Sequence, residues 1–524
     1  MTLSRRALLL GLPVAAAAVA ACSRAGRGPA VVNVREFGAV GDGVADDSDA
    51  LTRAAAAIRT GDVLYVPGGR YRFARRHPPG EAAFALTGVS DVEVRFELDA
   101  EVVMDNVDPA TQTGTSHGIA VYGPASNVSF RNVSIRWMSP TIRSFGDGIR
   151  VVGVPVDVGG LPAGWTGPSA PVRGVSLSNC AIEGSPQAGV VMNGVSDIDV
   201  SDLRVRESRG DGLHFNACRR GRVDGHSATR TGDDGLAFVT YFSDEFAFDP
   251  EAETFSFSEL TPWSNTGFVV RNVSVQGGRA NGVRIAGAEG VEISGLRVAG
   301  VGWGAGVIVD SAAAGADTGW NYTASRGIRL NAVTVEDCES GLHVLARPDP
   351  GSDDRFSRFD VHVTDAVLSG CSNWGVRLDS LTGRRLKGVR LDRLGIKSGS
   401  TSGGHGGIGL QNSEGMQLGT VDFRHAEPVV VFDVHDSSDL QVDRLAVDIS
   451  PSGQRPGDAP PCIDVHDSQG TFGEVEVSWP GAPASWRPVR VTSPGTGCGE
   501  EPPSVTFGTL VVEPASVSTS PTTC

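Results

Sequence analysis

The amino-acid sequence predicts an all-β, single-stranded parallel β-helix, a solenoid with one capping helix at its N-terminal end. Three observations lead there. First, a glycine followed by alternating apolar residues recurs ten times, as in GIRVVG at Gly148, GVVMNG at Gly189, GLHFNA at Gly212, GLAFVT at Gly235 and GVRIAG at Gly282. Second, further period-two segments lie between these phrases, such as NVSFRNVSI at Asn127 and SSDLQVDRLAV at Ser437, with no helical periodicity between them. Third, glycine makes up 69 of 524 residues, roughly twice average usage, without a collagen period. Short strands separated by tight turns, each unit burying its apolar face on its neighbours, describe a β-solenoid and exclude βαβ architectures.

The elements follow in chain order. Residues 1–21 read as an export signal: Arg5 and Arg6 precede a short apolar run that ends in small residues. The run resembles a twin-arginine signal, and VAAC resembles a lipobox, which makes Cys22 the expected lipidated residue and residues 22–30 a linker. The mature chain is then extracytoplasmic, secreted or held at the cell surface, and touches a membrane only through that anchor. Disulfides persist in such a compartment. Seven cysteines follow Cys22, so at least one is unpaired. Residues 31–75 form the cap region, where DDSDALTRAAAAIRT predicts the helix, with Asp46, Asp47 and Ser48 as cap and first-turn residues. Coils occupy residues 76–480, and 481–524 form a last coil and tail. The repeat spacings of 30, 41, 23, 23, 47, 24, 35, 34 and 32 fit a 23-residue unit with insertions. A net charge of −16 and pI near 5.1 exclude a dominant basic surface, hence a nucleic-acid partner. A solenoid capped at its ends is expected to be monomeric.

Alignment of the units on their glycines turns the preceding residue into a column in which Asp211 and Asp234 occupy equivalent positions on adjacent coils. Strands about 4.8 Å apart crowd these two carboxylates, with Asp233 beside them, into one patch. Such crowding raises at least one pKa and suits a general acid. The bland reading is that all three are Asp-Gly turn residues, and a calcium site is a third reading. No other cofactor is expected. Positions two and four of each phrase point inward and position three outward, which places Arg150, His214 and Arg284 on the face that carries the carboxylates. Basic residues there are candidates for holding an acidic sugar. The 47-residue gap after Gly235 holds an aromatic and acidic insertion expected to wall a cleft, with Tyr241 and Trp263 stacking on sugar rings. Strict alternation turns Asp234 inward, so Gly235 is expected to mark a bend that re-aims it.

FGAVGDGVADD with LYVPGGRYRF resembles the N-terminal region of the pectate-lyase-like, polygalacturonase-like superfamily of right-handed β-helix proteins, a likeness that extends over most of the mature chain. RGDGLHF, followed one unit later by GDDGLAF, is similar to the aspartate signature of the polygalacturonase family of inverting glycoside hydrolases. The resemblance implies a polysaccharide substrate that is in part uronate, Asp233 as general acid, and Asp211 and Asp234 as holders of the attacking water. NGVRIAG is similar to the family's Arg-Ile-Lys segment and implies substrate contact by Arg284, although no lysine follows. The family's Gly-His-Gly is missing after the doublet, and His405 in GHGG lies five coils away. Polysaccharide lyases and epimerases, and non-catalytic glycan-binding solenoids, share this fold and are the rival expectations.

Overall fold

The computed structural model describes residues 29–523 except 155–160, 162–164, 166, 168, 245–246, 251–252, 317–318, 350, 382–383, 451–458 and 493–504. Arg5, Arg6 and Cys22 lie outside the described residues, as do Cys498 and Cys524.

Successive coils pair in parallel through three lanes. One coil supplies Val172–Ser178, Ala181–Glu183 and Val190–Asn193. The next supplies Val195–Ser201, Arg204–Arg206 and Leu213–Asn216, each paired in register with its predecessor. The third lane continues through Leu236–Val239, Val283–Ala286 and Ala305–Ala312. The register is that of the repeat: Leu213 faces Leu236, and Leu236 faces Val283. Inward positions form one continuous core, in which Phe215, Phe238 and Phe268 meet with ring centroids 4.8 to 5.3 Å apart. Parallel pairing begins within 31–75, where Val31–Asn33 joins Val63–Val66, and reaches Thr522–Thr523.

The capping helix is Ser48–Ala57, with Leu51, Ala54 and Ala55 buried against the first coils. Asp47 stands at its N-cap but makes no side-chain cap bond. Its carboxylate accepts from the amides of Val40 and Gly41, while Asp46 takes the Ser48 amide.

The repeat glycines do not make the turns that sequence reading assigned to them. None of those in the third lane has a positive φ. Left-handed turn positions fall to other glycines, such as Gly184, Gly225 and Gly277, and to residues such as Asn132, Asn179, Asp202 and Asn272, whose short polar side chains tolerate that conformation. The glycines are needed for close approach. A Cβ on Gly212 would lie 2.4 Å from the Gly235 carbonyl oxygen, and one on Gly235 would lie 2.5 Å from Val275 Cγ1.

Five cysteines, Cys180, Cys218, Cys338, Cys371 and Cys462, are buried free thiols. Burial pushes the Cys218 thiol up to about 12, so these side chains act as core residues.

Candidate active site

Asp211, Asp233 and Asp234 occupy the turns that lead into Leu213–Asn216 and Leu236–Val239. The column carries a ladder of coil-to-coil hydrogen bonds. The Ala188 amide donates to Asp147 Oδ1 (2.9 Å), Asp234 to Asp211 Oδ1 (3.0 Å), Asn281 to Asp234 Oδ1 (3.1 Å) and Ala305 to Asn281 Oδ1 (3.0 Å). An Asp or Asn at this position therefore stitches its coil to the next, a structural task that sequence reading had put down to turns alone.

The other carboxylate oxygens of Asp211 and Asp233 meet basic side chains. Asp211 Oδ2 lies 2.6 Å from His214 Nδ1, and Asp233 Oδ2 accepts from Arg143 Nη1 at 2.6 Å. Asp234 is only 3% exposed. Gly235 does not re-aim it outward, yet the carboxylate does not enter the apolar core: Oδ1 also accepts from Asn281 Nδ2 (2.8 Å). One oxygen from each of the three aspartates lies within 4.8 Å of the others. Burial, then the Asp211 charge, raises Asp233 above the ordinary carboxylate range against the pull of Arg143. Burial, then Asp211, raises Asp234 further. Three carboxylates this close do not all ionise freely. Such a group also has the donor set for a hard cation such as calcium. A mixed nitrogen and oxygen set, Asp433, His435 and His466, lies on C-terminal coils.

A cleft of about 520 Å³ opens beside Asp211 and His214. The insertion forms part of its wall, as expected: Tyr241–Phe242, Ala247–Asp249 and Thr254–Phe257 make a small separate sheet, and Pro250, Glu253 and Thr254 line the cleft. A larger groove, about 650 Å³, lies on C-terminal coils between Val367 and Val511, away from this convergence of ionisable groups.

The remaining expected contacts divide. Tyr241 lines the cleft with its ring 4.7 Å from Trp320. Trp263 does not stack on anything that enters, because it is buried with Val154, Phe255 and Phe257 as the insertion's own core. Trp320, about half exposed, is the tryptophan that faces the cleft. Arg150 and Arg284 are on the expected face but are committed to carboxylates. Arg150 donates to Asp147 (2.8 Å) and Glu253 (2.5 Å). Arg284 grips buried Asp310 through two hydrogen bonds and covers the Tyr322 ring at 4.8 Å. Sequence reasoning missed Arg143 and His117. Both lie in turns or strand ends outside the position-three column, and Arg143 meets Asp233 across 90 residues. The only signal for either was adjacency to the phrases at Gly118 and Gly148.

A parallel β-helix with a carboxylate cluster at a cleft is thus the class that fold and site define. Residues 31–78 match the family model "Rhamnogalacturonase A/epimerase, pectate lyase-like", and residues 117–314 match "Right handed beta helix region". The chain is a right-handed parallel β-helix whose N-terminal segment is similar to the pectate-lyase-like family. Over 93 residues it is 38% identical to mannuronan C5-epimerase AlgE1 of Azotobacter vinelandii, a stretch covering 17% of this chain and only 6% of that relative. The catalytic unit of a GH87 alpha-1,3-glucanase from Streptomyces thermodiastaticus superposes with a TM-score of 0.50 at 17% identity, over 96% of this chain and 71% of that one. A family 28 exopolygalacturonase of Yersinia enterocolitica gives 0.48 at 12% identity, over 86% and 78%. Among the described residues no helix is long and apolar enough to cross a membrane.

Proposed function

We propose that the protein is a glycoside hydrolase that cleaves a polysaccharide by carboxylate acid/base chemistry. The observation that carries this reading is the trio Asp211, Asp233 and Asp234, its oxygens within 4.8 Å of one another at a cleft, with Asp233 and Asp234 shifted toward the protonated form. Two oxygens at that separation can share one water about 2.8 Å from each. In the proposed reaction Asp211 and Asp234 hold the water, and Asp211 accepts its proton as the water oxygen bonds to the anomeric carbon, while Asp234 keeps the proton that its burial favours. Asp233, the more exposed of the doublet, gives its proton to the departing glycosidic oxygen. The resemblance to the polygalacturonase family implies attack from the face opposite the leaving group and a product of inverted anomeric configuration, although the carboxylate oxygens lie within 4.8 Å, closer than the roughly 6.5 to 9.5 Å between the carboxyl groups of inverting enzymes. Arg143 fixes the Asp233 carboxyl, and His214 orients that of Asp211.

The test is release of reducing ends from a panel of plant and bacterial polysaccharides by wild type and Asp233→Asn. Loss of the general acid is expected to lower turnover by about a hundred-fold or more, and proton NMR of the first product resolves the anomer. Equal activity in both proteins, or none on any polymer, sinks the hydrolase reading. A polysaccharide lyase or epimerase is the second reading, favoured by the 38% identical stretch shared with the epimerase. It predicts ultraviolet-absorbing unsaturated ends, or a changed uronate ratio without chain scission. We also propose that the enzyme works outside the cytoplasm, exported by the segment containing Arg5 and Arg6 and anchored through lipidated Cys22.

A further inference from the structure

We infer that the cleft recognises a neutral stretch of glycan, read through its hydroxyl groups and apolar ring faces, rather than a polyuronate. This inference rests on the hydrolase reading of the same site. It starts from charge. Glu81, Asp147, Asp211 and Glu253 line the cleft together with Arg143 and Arg150. Four carboxylates, with the Asp233 and Asp234 carboxyl groups beside them, stand against two guanidiniums.

Neither guanidinium is left over for an incoming anion. Arg150 is divided between Asp147 and Glu253, and Arg143 is bonded to Asp233. Arg284, on the next coil, is not among the residues that line the cleft; it is bonded to Asp310, a carboxylate that it shares with Arg347. When Asp233 carries its proton, Arg143 still faces the charge of Asp211. A uronate entering here would lose hydration without gaining an uncommitted cation and would meet like charge, both unfavourable.

What the cleft offers instead suits hydroxyls. The Asp147 amide donates to His117 Nδ1 at 2.9 Å, which fixes the proton on Nε2. That Nε2–H is buried and has no hydrogen-bond partner among the described residues. Asn193 Nδ2 donates to the Glu253 carbonyl (2.8 Å), while its Oδ1 is likewise buried and unpartnered. Both residues line the cleft. Both atoms are shielded in this structure, the Phe145 ring lying 4.5 Å from that of His117, so a small side-chain shift must admit a hydroxyl, which accepts and donates, and leaving such groups unpaired is costly. Phe145 and Trp320, 43% and 48% exposed, supply apolar faces for pyranose rings.

The experiment uses pairs of polymers that differ only in charge, such as polygalacturonate and mannuronan, each alongside its carboxyl-reduced form. Wild type is assayed for reducing ends, and Asp233→Asn for binding by affinity electrophoresis at low and high salt. The neutral member of a pair is expected to be bound or cleaved at least ten-fold better, with less than two-fold dependence on salt. Equal or better recognition of the uronate member, or binding that collapses with salt, overturns the inference. Scission lost in Asp233→Asn reports separately on the hydrolase reading. Cleavage confined to polyuronate would uphold that reading while refuting this one, and tight binding of a neutral polymer without scission would do the reverse.

Discussion

Replacing Arg143 with glutamine is expected to move the alkaline limb of the pH–rate profile upward. The guanidinium lies 2.6 Å from Asp233 Oδ2, with the two side chains 53% and 25% exposed. Unit charges about 4 Å apart interact by about 1 kcal/mol in water and about 4 kcal/mol in a moderately polarisable surface. Exposure and salt place this pair near the lower figure. At 1.36 kcal/mol per pH unit, that amounts to roughly 0.7 units. The cation favours the ionised carboxylate, so its removal raises the Asp233 pKa and keeps the acid protonated to higher pH. The assay is initial-rate kcat/KM from about pH 4 to 9 on the polymer that the panel identifies. The descending limb should shift up by roughly half to one unit in Arg143→Gln and return toward wild type in Arg143→Lys, which keeps the charge. An unchanged limb, or a downward shift, would refute Asp233 as the proton donor governed by this contact.

Three further outcomes are expected. Gly212→Ala places a methyl 2.4 Å from the Gly235 carbonyl oxygen and should cost about 1–3 kcal/mol in urea unfolding, whereas Gly302→Ala, with nothing within 4 Å, should be close to neutral. His226 is fully buried between the carbonyls of Leu203 and Gly235, and burial holds its pKa below 6.5. Its folded state binds fewer protons than the unfolded state, so the stability it contributes is present above pH 6.5 and is lost as pH falls below it. The stability difference between wild type and His226→Gln should therefore shrink between pH 7 and 5. Finally, cells fed a labelled fatty acid should label the wild type and not Cys22→Ser; labelling of the variant would overturn the anchor.

The fold was legible because its signal is local and repeated. Period-two alternation from Leu213 to Phe215 and from Leu236 to Phe238 is visible in each phrase, and the 23-residue offset fixes which residues face each other. The carboxylate cluster was legible for the same reason, since Asp211 and Asp234 share a repeat position. What stayed hidden depends on approach between coils or on contacts with no period. A glycine that packs against the next coil looks, in sequence, like a glycine that turns. The pairing of Arg150 with Glu253, across 103 residues, comes from an insertion with no register to count. Trp263 and Trp320 both occupy irregular segments, and only packing separates the insertion's core from the face of the cleft.

One position on the outer face distinguishes the Asp234 rung of the structural ladder from the others. At Asp147 the strand that follows carries Arg150 at position three, bonded to the carboxylate at 2.8 Å. Burial alone would raise Asp147, but the surrounding partners, this guanidinium among them, outweigh it and hold the group down to about 2. At Asp211 position three is His214, again bonded to the carboxylate. At Asp234 the register reaches Ala237, which has no charge to offer. Asp234 keeps its ladder bond to the Asn281 amide but lacks a basic partner on its own strand, and Arg284 on the next coil is held by Asp310. Its uncompensated burial beside Asp211 and Asp233 then favours a bound proton. The repeat supplies the carboxylates as stitching, and the loss of one basic side chain from the repeat leaves a protonated Asp234 beside the proposed acid, Asp233.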